Sequence, residues 1–308
     1  MKEKVKLVVV IPIGTLSAKN RYEHMVDTIA SVEHYTRNDC RIVLQDNSSP
    51  LQLGKKLKGL FPNVDVVRAP INYRMFGGLY KSLSLALLHI HASYDFQVLL
   101  KMDTDALMTG YGLEDAAAEF FGRNPQVGEI GNHVFDGKGI EWPRRRLINE
   151  TNMLGWLRDR QRCATLRYYL QLARTHGYQL GEHILGGAAL YSPVFIERLV
   201  DRGFLLREEL SRCVLHEDHL FGLLCKAVGL ELAGRTVPEF PLAVVWRGLP
   251  SSPESLAENG ASVVHSTRSW QGMNEDDIRA FFRARREAAP PTSAQSDQTQ
   301  EYARSVRV

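Results

Sequence analysis

Whole classes of protein are excluded by what this 308-residue chain lacks. It has no run of 18 or more apolar residues, so no hydropathy-defined helix crosses a membrane. Its four cysteines, Cys40, Cys163, Cys213 and Cys225, form no C-x-x-C pair. Zinc-ribbon and thioredoxin-like readings therefore have no support, and free thiols in a reducing, cytoplasmic setting are expected. Charge of one sign is not concentrated either. The net charge is +3 and the densest basic block is Arg144-Arg145-Arg146, which gives no argument for nucleic acid as a partner. There is no G-x-x-x-x-G-K-[ST] phosphate loop and no internal repeat. The segment His216-Glu217-Asp218-His219 is one residue short of H-E-x-x-H, which argues against a zinc protease. The basic start is followed by an apolar run only from Val5 to Ile13 and by no small-residue cleavage site, so it reads as a first buried strand, not a signal peptide.

What is present is globular composition, with 44% hydrophobic and 24% charged residues. VKLVVVIPI, RIVLQD, VDVVRA and FQVLLKMD read as strands; Tyr22, Met25, Val26, Ile29 and Val32 recur at helical spacing between the first two. Strand and helix alternate, which predicts an α/β fold with a Rossmann-like, mostly parallel sheet and helices on both faces. We expect one domain over residues 1–287, with an Arg-rich helical insertion at 137–179. The tail 288–308 lacks apolar periodicity and is expected to be disordered. The last helix, Glu275 to Arg286, is amphipathic. Ile278, Phe281 and Phe282 beside Arg279, Arg283, Arg285 and Arg286 suit a peripheral membrane contact, although packing on the core is the favoured reading.

The chemistry-bearing residues fall at strand ends and helix starts. Asp103 and Asp105 follow the apolar strand FQVLLKM; on an extended segment the two carboxylates would point the same way, offering oxygen ligands to Mg²⁺ or Mn²⁺. They could equally cap the next segment. Asp46 closes the second strand, either to read a nucleotide or to form a turn with Asn47, Ser48, Ser49 and Pro50. Glu217 and Asp218 open a helix, where acids can also merely complement its dipole. His265 lies in SVVHSTR, and Gly186-Gly187 begins GGAALYSP.

In order, VVVIPI, LQDNSSP, NYRMFGG, KMDTDA, LGGAAL, HEDH and VVHS resemble the GT-A fold glycosyltransferases, most closely the family-2-like inverting enzymes. The resemblance runs from Val5 to His265, with the insertion unmatched. It implies a metal-dependent enzyme moving one sugar from a nucleotide diphosphate sugar, UDP favoured, to an acceptor hydroxyl, a hexosyltransferase-like activity. By the same resemblance Pro12, Ile13, Asp46 and Arg74 would line the nucleotide, and Gly77 and Gly78 the donor-binding segment after Asn72. Gly186 and Gly187 would lie against the donor sugar. Asp103, Asp105 and His265 would hold Mn²⁺ or Mg²⁺, with Asp103 also near the ribose. Asp218 would be the general base, with Glu217 second. Two departures stand out: a single Asp46 preceded by Gln45, and glycines at 77 and 78 where the pattern usually has an earlier one. No Q-x-x-R-W sequence marks a processive synthase. The alternatives are an inactive sugar-nucleotide or glycan binding module, and a nucleotidyltransferase, whose usual Gly-rich loop is replaced here by IPIGTLSAKNR. The insertion, with Trp142 and Trp156, is expected to be an acceptor lid.

Overall fold

The computed structural model describes residues 1–14, 16–17, 21–36 and 39–288. Its first half alternates as expected: β1 (Glu3–Ile13), α1 (Tyr22–Tyr35), β2 (Cys40–Asp46), α2 (Leu53–Leu60), β3 (Asp65–Arg68), α3 (Gly77–Ser93) and β4 (Tyr94–Met102). The uninterrupted apolar run of β1 has a simple cause. Its alternate side chains feed two different cores: Val8 and Val10 pack with Tyr80, Leu83 and Leu87 of α3, while Leu7, Val9 and Ile11 pack with Met25, Ile29 and Val32 of α1.

The second half runs through β5 (Ala106–Met108), α4 (Leu113–Arg123), β6 (Val127–Gly131), β7 (His133–Val134), α5 (Gly137–Thr151), α6 (Met153–Arg158), α7 (Arg160–Thr175), β8 (His183–Ile184) and β9 (Ala188–Tyr191). It continues with α8 (Pro193–Asp201), α9 (Glu208–Ser211), α10 (Glu217–Ala227), β10 (Glu231–Gly234), β11 (Leu242–Val244), α11 (Pro253–Glu258), β12 (Val263–His265), β13 (Ser269–Trp270), β14 (Met273–Asn274) and α12 (Glu275–Ala288). The main sheet has the order β10-β6-β9-β4-β1-β2-β3, parallel throughout except for β9, which runs against both neighbours. That reversal matters, because the entry to β9 then lies at the same edge as the exit from β4, with Ala188 opposite Met102. A smaller sheet, β11-β12-β5, places His265 opposite Ala106.

Several expectations change. Asp103-Thr104-Asp105 is not extended: the Ala106 N–H donates to Asp103 O at 3.1 Å, so a β-turn, not strand alternation, brings the carboxylates together. The extended segment from Val127 to Val134 breaks at Asn132 into β6 and β7. Strands β5, β8 and β10 are two to four residues long, too short to show periodicity in sequence. Residues 137–175 carry α5, α6 and α7, and Leu147, Leu166, Tyr169, Leu170 and Ala173 join the core that contains Leu220, Phe221 and Leu224 of α10. The insertion is built into the domain rather than hung over it.

For α12 the structure has the favoured reading, packing on the core. Ile278 and Phe282 are buried with Leu107, Leu256 and Val264, and Phe281 packs against the same cluster, so the apolar face is spent on the core. Arg279, 1% exposed, donates to Asp27 at 3.1 Å and to Thr104 O at 2.7 Å; Arg286 reaches Asp27 at 2.8 Å. These cations hold the Asp27 carboxyl below its ordinary pKa although burial opposes ionisation. Helix α12 runs to Ala288, one residue into the expected tail, and 289–308 lies outside the described residues. The four cysteines are unpaired, and among the described residues no helix is long and apolar enough to cross a membrane.

Arg279 is buried and divides its charge between Asp27 and Glu275, whose Oε1 accepts from its Nε at 3.0 Å, so removing Asp27 leaves the guanidinium only half paired and takes the partner of Arg286 as well. Asp27→Ala is expected to cost about 3–5 kcal/mol in urea unfolding. A loss below about 1 kcal/mol, the range of an exposed pair, would mean that this ion-pair cluster does not pin α12.

Candidate active site

The side chains at the sheet edge converge on one buried cation. Lys101, the polar residue near the end of the apolar strand β4, is 1% exposed. Its ammonium donates to Asp103 Oδ1 at 2.7 Å, to Glu217 Oε1 at 3.1 Å and to the Gly186 carbonyl. Burial alone would strip its proton, but Asp103 and Glu217 outweigh burial and hold its pKa above the ordinary value. Lys101 thus ties the β4 exit to the β9 entry and to the start of α10.

Asp105 faces a second group of polar side chains. Arg268 Nε lies 2.6 Å from Asp105 Oδ2, Ser266 Oγ donates to the same oxygen at 2.9 Å, and His265 Nε2 lies 3.6 Å from Oδ1. Burial opposes ionisation of Asp105, yet His265 and Arg268 hold its pKa well below the carboxylate range. One ligand atom each from Asp103, Asp105 and His265 fall within 4.8 Å of one another. The His265 ring is oriented for such use: Nδ1–H donates to Val245 O at 2.8 Å, which leaves the lone pair on Nε2. Two carboxylates and one imidazole suit Mn²⁺ or Mg²⁺, and the residues present fit such an ion.

Gly186 and Gly187 form a strip of backbone between this trio and α10. The Gly187 carbonyl accepts from Asp103 N at 2.9 Å, and a Cβ at Gly187 would stand 2.2 Å from the His265 ring, so only glycine fits. The Gly186 N–H donates to Asp218 Oδ2 at 3.2 Å, and the His219 N–H to Asp218 Oδ1 at 2.8 Å. Burial raises the pKa of Asp218, but His219, His183, His216 and Lys101 outweigh it and bring it to about 2. Glu217 differs: burial, with Asp218 and Asp103, exceeds the pull of Lys101 and raises it to about 7. His219 is driven down to about 4 by burial, so it is neutral near pH 7.

Other expected residues lie elsewhere or are otherwise engaged. The Asp46 carboxylate is 1% exposed and committed to the turn, accepting from Arg68 at 2.7 Å, Ser49 N at 2.7 Å and Gly54 N at 3.3 Å. Gly77 and Gly78 answer a packing need: a Cβ would lie 2.0 Å from Leu210 O and 1.7 Å from Tyr73 O respectively. The Ile13 side chain is in the core, Pro12 is half-buried at the end of β1, and Arg74 is exposed with φ +65°. Lys101, His183, Ser266 and Arg268 escaped the sequence reading. Lys101 had a signal, a charge inside the apolar run from Val98 to Met102; Arg268 and His183, each three residues from a chosen site residue, had only proximity.

Beyond α10, Trp142 of α5 is 40% exposed and its ring lies 5.1 Å from that of His216 and 5.3 Å from that of His219. The Arg146 guanidinium sits 3.8 Å over the Trp142 ring.

No protein-family model matches the chain, and no curated protein does. Among solved structures it is similar to a mannosyltransferase, PcManGT from Pyrobaculum calidifontis, in complex with GDP-Man and Mn²⁺: 14% identity, TM-score 0.43, covering 75% of this chain and 55% of that one. It is also similar to S. aureus TarS: 17% identity, TM-score 0.43, covering 83% and 38%. The chain spans less than two thirds of either. Likeness at that level says nothing about chemistry, which has to be read from the side chains.

The proton affinities of Glu217 and His219 act on stability in opposite senses. Glu217 keeps its proton in the folded chain up to about pH 7, so its contribution is lost as pH rises from the unfolded value toward 7. His219 stays neutral down to about pH 4, so its contribution is lost as pH falls from 6.5 toward 4. Thermal midpoints of Glu217→Gln between about pH 4.5 and 7 should therefore climb with pH more steeply than wild type. Parallel curves would refute the raised affinity of Glu217.

Proposed function

We propose that this chain is a metal-dependent glycosyltransferase of the GT-A type that moves one sugar from a nucleoside diphosphate sugar, UDP favoured, to an acceptor hydroxyl with inversion. The observation that carries the reading is the placement of Asp218 and of the Asp103, Asp105 and His265 trio on either side of the bare Gly186-Gly187 backbone, with Lys101 bonded to Asp103 on one side and to Glu217 and Gly186 on the other. Gly186 keeps part of its backbone exposed at that strip, where a sugar ring would approach.

A divalent ion held by Asp103, Asp105 and His265 would neutralise the charge that grows on the departing diphosphate. The chain's own work is to hold and move one proton. Asp218 stays ionised, its two oxygens aimed by the N–H groups of Gly186 and His219, and its side chain retains 16% exposure. It is therefore the base that takes the acceptor hydroxyl proton as the oxygen attacks. Glu217, held against Lys101 and 9% exposed, positions that lysine instead. On the acceptor side, Trp142 and Arg146 flank α10, a face for the apolar side of a sugar ring. That gives the insertion a part in acceptor choice, through a rigid wall and not a lid.

Two outcomes test this. Among UDP, GDP, CDP and dTDP with Mn²⁺, one nucleotide should raise the thermal midpoint, and the shift should vanish without metal or in Asp105→Ala; no shift with any of the four would sink the donor site. Asp218→Asn should keep that shift yet lose transfer by roughly 10²–10⁴-fold, whereas unchanged transfer removes Asp218 from its role. In the same assay Trp142→Ala should raise the acceptor KM and spare donor hydrolysis, and NMR of the product anomer reads inversion directly.

A further inference from the structure

A second group of ligand atoms includes Asp218 and shares no residue with the first trio. His183 of β8, Asp218 and His219 each bring one ligand atom within 4.8 Å of the others. Both imidazoles are buried, His183 3% and His219 8% exposed, and their rings meet edge to face with centroids 4.3 Å apart. His183 is already oriented: its Nδ1–H donates to Gly181 O at 2.9 Å, leaving Nε2 as the nitrogen with a free lone pair. His219 Nε2 lies 3.6 Å from Asp218 Oδ1, and His219 Nδ1 is buried with no hydrogen-bond partner. An imidazole nitrogen left unsatisfied in the interior is costly, and a ligand bond removes the cost. Asp218 has one backbone N–H on each oxygen, so each keeps a lone pair, and its partial exposure leaves a path for an ion.

The chemistry of the two sets differs. Asp103, Asp105 and His265 are oxygen-rich; His183, His219 and Asp218 supply two nitrogens and one oxygen, the donor set that borderline ions such as Zn²⁺ favour, with a fourth position left to solvent. We propose that His183, Asp218 and His219 form a second metal site, distinct from the first, that takes a Zn²⁺-class transition-metal ion. The consequence for transfer, an ion occupying the lone pairs of the base, rests on the function proposed above; the binding itself does not.

Co²⁺ reports the site without any transfer assay, since four-coordinate Co²⁺ absorbs visible light far more strongly than the six-coordinate ion of an oxygen-rich site. Titration of the wild-type chain with Co²⁺ alone should give an intense visible band that saturates at one equivalent and that Zn²⁺ abolishes. Asp105→Ala should keep the band. His183→Gln and Asp218→Asn should weaken Co²⁺ binding at least about tenfold or erase the band; Asp218→Asn is the partly exposed, isosteric change that remains informative if the His183 variant fails to fold. The proposal is overturned by a wild type without the band, by a band unaffected in Asp218→Asn, or by a band lost in Asp105→Ala, which would put the ion in the first trio.

Discussion

A lysine ammonium taken out of water has to find acceptors, and Lys101 finds three: the Asp103 and Glu217 side chains and the Gly186 carbonyl. Burying a charge without partners costs more than any single packing contact returns. Once Lys101 sits inside the exit of β4, Asp103, the Gly186 carbonyl and Glu217 are held within reach of it. The same geometry makes the site interdependent. Asp103 is bonded to Gly187 through its own N–H, Gly186 to Asp218, and Gly187 has no room for a side chain because His265 stands against it. Each carboxylate therefore has its place set by a neighbour that also sets another.

The reversed strand β9 supplies the other half of this arrangement. In an all-parallel sheet its entry loop would lie at the opposite edge, and the glycine strip could not meet the exit of β4. Running antiparallel, β9 brings Gly186-Gly187 beside Asp103, and the small sheet brings His265 beside Asp105 through its pairing with β5. Helix α12 then closes the back of that region: Arg279 accounts for the Thr104 carbonyl inside the D-T-D turn as well as for Asp27. The C-terminal helix that looked peripheral in sequence thus supports the acidic turn.

Charge is divided across the site. Cations crowd Asp105 and lower its proton affinity, while burial among other acids raises that of Glu217. Neighbouring carboxylates in one small volume thereby hold different protonation states near neutral pH, the usual way in which a protein assigns different tasks to chemically similar groups. Two donor sets of different composition, oxygen-rich on one side and nitrogen-rich on the other, follow from the same crowding of histidines and acids around one glycine pair.

Much of the frame was legible in the chain itself. Apolar strand segments alternating with helical spacing determined the α/β class, because a strand buried on both faces has no other composition open to it. The D-T-D pair, the Gly-Gly pair, Glu217-Asp218 and His265 could be singled out because polar and small residues at strand ends are conspicuous. Asp46, Gly77 and Gly78 show the limit of that reasoning: the same signal marks a buried turn or a close backbone approach as readily as a ligand site, and here the Asp46 carboxylate accepts from Ser49 and Arg68 while Gly77 and Gly78 lie against neighbouring backbone. Only the tertiary structure decided that D-T-D is a turn, that Lys101 is the hub, and that His183 and Arg268 belong beside residues 35 and 163 positions away in the chain. The physical reason is that secondary-structure pattern is a local property of sequence, whereas partnership between charges depends on strand order and direction, which long-range packing sets.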